Sequence, residues 1–458
     1  MNTNRRKFLT STSALTAGAL ATNLSSWGIQ SANAQAATGY KAVVCVFLFG
    51  GNDSNNMVLP FTDYTAYQTV RTAASNVGIP QAQLLQFNAA SQGKSFGFHP
   101  NLLPISPLYA SGKLAVLANT GTLVRPLTKA QYQANLGRPS NLFSHSDQQS
   151  MWQGLINGAA IRSGWAGRMA DKLVAANGGQ LVPTSISVSG QQVFTLGTTT
   201  APLVIPQNGG VAVSGQGTDA VSVARFNALN TLLASADPTN EVVKGGAAVM
   251  TKALTANATA NPLLALTDPK ITTAFSPGGT LLNTGLAQQL RQVARLIEGR
   301  AVTGVKRQFF FVSMGGYDTH SNTITNQNNL FNQLAPAMRA FYDYTVAAGI
   351  ANDVTQFTMS DFNRTFIGNA NQGVDHAWGG HHLVLGGAVR GGDMYGTFPD
   401  LVVNGNQDSG RNGSWIPTTG VDQVGGTIGK WLGMPGTDIA QVFPNLANFS
   451  TTDLGFMV

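Results

Sequence analysis

Residues Ala42 to Phe49 form an unbroken apolar run that stops at Gly50-Gly51. A strand with no polar side is one covered on both faces, so the run predicts a buried strand of a parallel sheet lying under helices. Residues 113–119 (KLAVLAN) and 307–316 (RQFFFVSMGG) repeat the form, and 353–362 (DVTQFTMSDF) is a weaker version of it. Between the last two, Leu330, Leu334, Met338 and Phe341 recur at helical spacing ahead of Gly349, which is placed as a C-terminal cap. Pro336 inside that stretch predicts a kink or a later start. Leu286, Leu290, Val293 and Ile297 predict a second amphipathic helix, and Val421, Val424, Ile428 and Trp431 a terminal one. Strands alternating with helices predict an α/β fold, a doubly wound and mostly parallel sheet flanked by helices. Residues 180–280 break the pattern. They are rich in Gly, Thr, Val, Gln and Ala, which predicts a β-hairpin-rich insertion or cap. Nothing reads as a repeat or a linker, so residues 37–458 are expected to form one domain.

The first 36 residues read as an address. Arg5 and Arg6 precede Phe8 and Leu9, a short Ala/Thr-rich run follows, and small-residue cleavage sites stand at Ala32-Asn33-Ala34 and Ala34-Gln35-Ala36. This layout predicts a twin-arginine signal peptide and a periplasmic or secreted protein. The apolar run is too short and polar to span a bilayer, and no transmembrane segment is expected after it. Taking the three basic residues of this segment from the 27 in the chain leaves 24, against 20 acidic residues, a net charge of +4. That excess is small and forms no Lys/Arg stripe, so nucleic acid is not an expected partner. Charged residues make up only 10% of the chain and hydrophobic ones 43%, which excludes a disordered protein. The single cysteine, Cys45, lies in the first apolar run and reads as a small core residue.

Open α/β sheets bind ligands beyond the C-terminal ends of their strands. The first strand delivers Asp53 there, the 307–316 strand Asp318 and His320, and the 353–362 strand Asp361 and Arg364. The segment GVDHAWGGHHLVLGG (373–387) adds Asp375, His376, His381 and His382, and NLFSHSDQQSMWQG adds Ser144, His145 and Asp147. Five of the six histidines thus fall in polar, glycine-flanked turns near an aspartate. Carboxylates that bring charge beside neutral imidazoles that bring nitrogen suit Zn²⁺, Mn²⁺ or a similar divalent ion. Each residue also has a structural reading. Asp53 fits a helix cap, and Ser144 with Asp147 fits the S-x-x-D capping pattern. His99 before Pro100 reads as a packed loop residue. One of His381 and His382 must face away from any site, because neighbours on a strand point to opposite sides.

FLFGGNDSNNMVLP, GGYDTH, TMSDFNR and DHAWGGHHLVLGGAVRGGDMYGTFPDL, with the twin-arginine start, resemble the bacterial domain-of-unknown-function family 1501. That family is similar in turn to the alkaline phosphatase-like superfamily, which includes the sulfatases. The resemblance implies an alkaline phosphatase-like fold and a site holding one or two divalent ions. It implies metal ligands at Asp53, Asp318, His320, Asp361 and His376 and a nucleophile at Ser144, and Asp375 and His382 of the same histidine-rich segment join them as candidate ligands. Arg364 becomes a candidate anion contact, since a guanidinium matches tetrahedral oxyanions. Two departures stand out. Phe362 follows Asp361 where the superfamily has histidine, and one residue separates Asp318 from His320 where three are usual. The expected function is an exported metallohydrolase acting on a small phosphate or sulfate ester. The alternative is a non-catalytic, metal-stabilised binding or assembly protein that keeps the fold.

Overall fold

The computed structural model describes residues 39–155, 161–178, 181–211 and 217–458; the stretch expected to be a signal peptide lies outside them. Strands β1 (Lys41–Leu48), β2 (Leu114–Gly121), β3 (Ser185–Ser187), β4 (Leu203–Val204), β5 (Arg307–Met314), β6 (Val354–Ser360), β7 (Gly380–Gly386), β8 (Met394–Tyr395) and β9 (Thr419–Gly420) build one sheet. Its order is β8-β2-β7-β6-β1-β5-β3-β4, with β9 also pairing β2. Every pairing is parallel except the two made by β7, which runs antiparallel between β6 and β2. The four apolar runs of the sequence are thus β1, β2, β5 and β6.

Alternation along β1 shows why these strands carry no polar face. Val44 and Val46 point into one core with Phe310 and Val312 of β5. That core is closed by helices α5 (Gly285–Glu298) and α6 (Thr323–Ala347), through Leu290, Val293, Leu334 and Met338. Val43, Cys45 and Phe47 point the other way, against α2 (Trp165–Asn177) and α7 (Val421–Trp431), where Trp165, Met169, Val424 and Ile428 complete a second core. This is a mixed α/β fold with a mostly parallel central sheet between helical layers. α6 runs through Pro336 and does not start after it. Gly349 follows its C-cap with φ +69° and donates its N–H to Val346 O, as a terminating glycine does.

The middle of the chain corrects the expectation of a β-rich cap. Residues 185–204 supply two short strands at one end of the sheet, but Ala220–Ala234 and Glu241–Leu264 are helices, α3 and α4. The caps account for it: Asp219 accepts from the N–H groups of Val221 and Ser222, and Asn240 from those of Val242 and Val243. After those caps alanine and leucine, both strong helix formers, together outnumber valine and threonine in each helix. Among the described residues no helix is long and apolar enough to cross a membrane.

Candidate metal centre

The site lies past the C-terminal ends of β1, β5 and β6. Gly50 and Gly51 turn the chain after β1 with φ +113° and +84°. A Cβ on Gly50 would sit 2.5 Å from Asp318 N, and one on Gly51 2.5 Å from the Phe362 ring. Only glycine lets the three loops close together here.

Three imidazoles converge on one carboxylate oxygen. Asp318 Oδ1 lies 3.1 Å from His320 Nε2, 3.5 Å from His145 Nε2 and 3.7 Å from His376 Nε2. His145 is the first residue of helix α1 (His145–Gly154). Each ring is held from behind by its other nitrogen. His145 Nδ1 meets Asp361 Oδ2 at 2.7 Å, His320 Nδ1 meets Asp375 Oδ1 at 3.0 Å, and His376 Nδ1 meets Phe143 O at 2.7 Å. These oxygens only accept, so the Nδ1 atoms carry protons, and in a neutral ring the Nε2 lone pair then faces the centre. Such backing by carboxylate or carbonyl is how metal-binding histidines are oriented. Gln149, one helical turn past His145, donates to the same Asp361 oxygen, and Gly50 N donates to the other.

The donor set fits a cation. Ligands 2.0–2.1 Å from a tetrahedral Zn²⁺ stand about 3.3 Å apart, and the 3.1, 3.5 and 3.7 Å from Asp318 Oδ1 to the three Nε2 atoms bracket that value. His320 Nε2 and His376 Nε2 are only 2.9 Å apart, and two facing lone pairs at that distance need a shared proton or a cation. Burial, aided by Arg364 and the two other rings, holds His376 below the ordinary imidazole range, which works against the proton. His145 Nε2 is shielded from solvent and has no hydrogen-bond partner. Burial pushes the Asp318 carboxyl up, but the hydrogen bond and charge of Arg364 outweigh it, so the group stays ionised below the usual range. Among the described residues His145, Asp318 and His376 form the one group able to hold an ion jointly, so the geometry gathers ligands for one ion.

The structure sorts the residues expected at the site. Asp318, His320 and His376 face the centre. Asp361 and Asp375 stand behind the rings and orient them. Asp53 is drawn away: its Oδ2 pairs with Arg71 in a fully buried contact, and neither oxygen caps the following turn. His382 is also elsewhere, buried against Trp152 with ring centroids 4.7 Å apart. His381 accepts from Asn119 N at 3.1 Å and stacks on Phe398. Both belong to β7, whose side chains enter the sheet's own layers and not its edge. Arg364 is no free anion contact. It is buried, with Nε on Gly51 O, Nη1 on Val374 O, and Nη2 on Gly50 O and Asp318 Oδ1, so it ties the loops together. Ser144 precedes α1 without capping it, and its hydroxyl donates to Asp147 Oδ2 at 2.6 Å. His145 was the member of the cluster obscured by the Ser144–Asp147 capping pattern; Gln149 four residues on shares its helix face and its Asp361 partner. Phe362 explains the departure noted beside Asp361. Its ring packs 4.5 Å from that of His376 and 4.7 Å from that of His145, and forms the apolar floor of the cluster.

The buried histidines of β7 set an acid limit. Burial lowers His381 and His382 from 6.5 to about 3. The unfolded chain therefore binds protons that the folded chain refuses, and stability present above pH 6.5 is lost as pH falls towards 3. Each such proton is worth about 1.4 kcal/mol per pH unit. Burial raises Asp422 to about 6, which opposes this between about pH 4 and 6 because the folded state keeps that proton. Two histidines outweigh one aspartate, so urea midpoints are expected to fall with pH through this window. His382→Leu should lower the slope by about 1.4 kcal/mol per pH unit. An unchanged slope would show that His382 is not held neutral.

A mixed α/β sheet carrying one His/Asp cluster at its strand ends defines a protein with a candidate divalent-ion centre. The chain belongs to DUF1501, a family described as "Protein of unknown function", whose sequence profile matches residues 40–411. No curated protein matches the sequence. Two solved structures are weakly similar to the chain. The crystal structure of Ps i-CgsB in complex with k-i-k-neocarrahexaose is 7% identical, with 91% of this chain and 78% of that one covered and a TM-score of 0.35. The crystal structure of Ps i-CgsB alone is also 7% identical, with 90% and 77% covered and the same TM-score.

Proposed function

We propose that the chain is an exported, metal-dependent hydrolase of phosphate or sulfate esters, with one divalent ion, zinc or manganese, held by His145, Asp318 and His376, with His320 beside them. The observation that carries the metal reading is the backing of all three rings at Nδ1, which leaves three Nε2 lone pairs aimed at Asp318 Oδ1. The ester class and an alkaline phosphatase-like ancestry rest on the motif resemblance, and export rests on the Arg5-Arg6 start. When bound, a divalent ion supplies Lewis-acid polarisation of an ester oxygen and makes water more acidic. The chain's own residues do the rest. Asp361, Asp375 and Phe143 O hold the rings in register, and Phe362 keeps water from their apolar side. Asp147 gives the Ser144 hydroxyl proton an acceptor at 2.6 Å. Because Arg364 is fully engaged, the cation offered to an anionic substrate is Arg411. Its guanidinium lies 4.0 Å over the Phe143 ring, is exposed, and has no carboxylate partner among the described residues.

A second reading, a metal-stabilised protein without turnover, is favoured by the burial of Arg364. One experiment separates the two: metal analysis of the folded protein, then a screen on nitrophenyl phosphate and sulfate. The hydrolase reading expects close to one ion per chain, turnover abolished by Ser144→Ala with metal retained, and an Arg411→Ala variant whose KM rises about tenfold or more with little change in kcat. Bound metal with no turnover on either ester would leave the second reading; a metal-free protein that takes up none would refute both.

A further inference from the structure

The α3–α4 hairpin is apolar where it meets solvent. α3 has one charged residue, Arg225, among fifteen, and none of its residues is buried. Leu232 is 68% exposed, Val242 84% and Val249 67%, and Val221, Val223, Val243 and Met250 are exposed with them. Exposed apolar patches of this kind on a folded surface mark contact sites. α4 shows where the contact should continue. Val242, Val249, Ala253, Ala256 and Ala260 follow one side of the helix at three-, four- and seven-residue steps. Ala256 and Ala260, near its base, are buried, whereas Val242 and Val249, near its tip, are bare. The stripe that docks the helix to the body therefore runs on past the body without a cover.

Charge along the hairpin indicates what covers it. Asp237 and Glu241 stand at the turn, with Lys244 paired to Glu241 at 3.4 Å. Arg225 and Lys252 stand about 15 Å down the two helices, at roughly 1.5 Å per residue. Acid at the tip and base midway down is self-complementary under a two-fold axis across the hairpin. The tip of one copy meets Arg225 and Lys252 of the other, with Leu232, Val242, Val249 and Met250 between the two charge levels. A lipid surface fits worse, because helices that lie on membranes set a cationic face against an apolar one, and α3 has a single cation and no continuous polar face.

We infer that the α3–α4 hairpin is a self-association surface, on which two copies of this chain pack their hairpins antiparallel into a four-helix layer. The inference is independent of the metal centre, which lies at the strand ends. Sedimentation equilibrium of the folded protein tests it. A dimer is expected, and Leu232→Glu with Val249→Glu should raise its dissociation constant at least about a hundredfold with the thermal midpoint of the monomer unchanged, since both side chains are exposed. Arg225→Glu should weaken the dimer about tenfold, and adding Glu241→Arg should restore it, as only a tip-to-middle pairing of copies predicts. The inference is overturned by a wild type that stays monomeric up to roughly 100 μM. It is equally overturned by a dimer indifferent to the paired glutamates, or by a monomer that binds phospholipid vesicles through this hairpin.

Discussion

His376→Ala is expected to weaken divalent-ion binding on the order of a hundredfold or more. A structural four-ligand zinc site contributes about 10–16 kcal/mol, so one ligand in four carries several kcal/mol. His376 is tightly held within the cluster. Phe143 O fixes its ring at 2.7 Å, and its Nε2 lies 2.9 Å from that of His320. The variant should also melt earlier, since an ion that binds only the native state adds about 4 kcal/mol at a thousand times its dissociation constant. Excess Zn²⁺ should return part of that loss, and chelator should bring the wild type down to the variant. Isothermal titration and thermal melts with and without EDTA check both points. A variant that keeps the wild-type affinity, beside a wild type indifferent to chelator, would make the cluster a purely structural hydrogen-bond network.

Arg71→Met should cost about 3–5 kcal/mol of folding stability, the range for removing one partner of a buried ion pair. Arg71 is fully buried, and its guanidinium bonds Asp53 Oδ2, Asn56 Oδ1 at 3.0 Å, Thr365 O at 3.1 Å and Phe366 O at 3.2 Å. Burial pushes the Asp53 carboxyl up and Arg71 pulls it back. Asp53 Oδ1 already lacks a partner, so loss of Arg71 would strand a buried charge or force its protonation. The same guanidinium joins the loop after β1 to the loop that carries Arg364 and His376. The variant should therefore also loosen the metal centre without touching a ligand. Adding Asp53→Asn should recover part of the stability, because it removes the stranded charge. Urea denaturation decides it: a loss under about 1 kcal/mol would mean that water reaches the pair.

Much of the fold was legible along the chain because burial on both faces leaves a local record. β1, β2, β5 and β6 stand where the apolar runs lie, and α5, α6 and α7 where the helical spacing does. The middle misled because Val and Thr suit strands and capped alanine-rich segments suit helices, and composition alone does not rank the two. Asp219 and Asn240, the caps of α3 and α4, were the readable signal.

The site was legible as an inventory and not as an arrangement. Polar residues at strand ends marked Asp318, His320 and His376, because a turn beyond a buried strand has no packing reason to hold them. Nothing along the chain separated Asp53 from Asp318, or His382 from His376, since each stands in a polar turn or a glycine-flanked stretch. Tertiary structure decided among them. β7 runs antiparallel between β6 and β2, so His381 and His382 enter the layers of the sheet while His376, a few residues earlier, stays at its edge. Arg71 approaches from a separate segment and takes Asp53 out of the cluster. α1 brings His145 across to Asp361, 216 positions away in sequence. By itself the sequence determined the buried strands and the apolar faces of α5, α6 and α7, and which chemistry would collect at the strand ends, because hydrophobic burial there follows local periodicity. Only the tertiary structure decided which imidazoles meet which carboxylates, because those partners are chosen by strand order and loop closure between segments far apart in the chain.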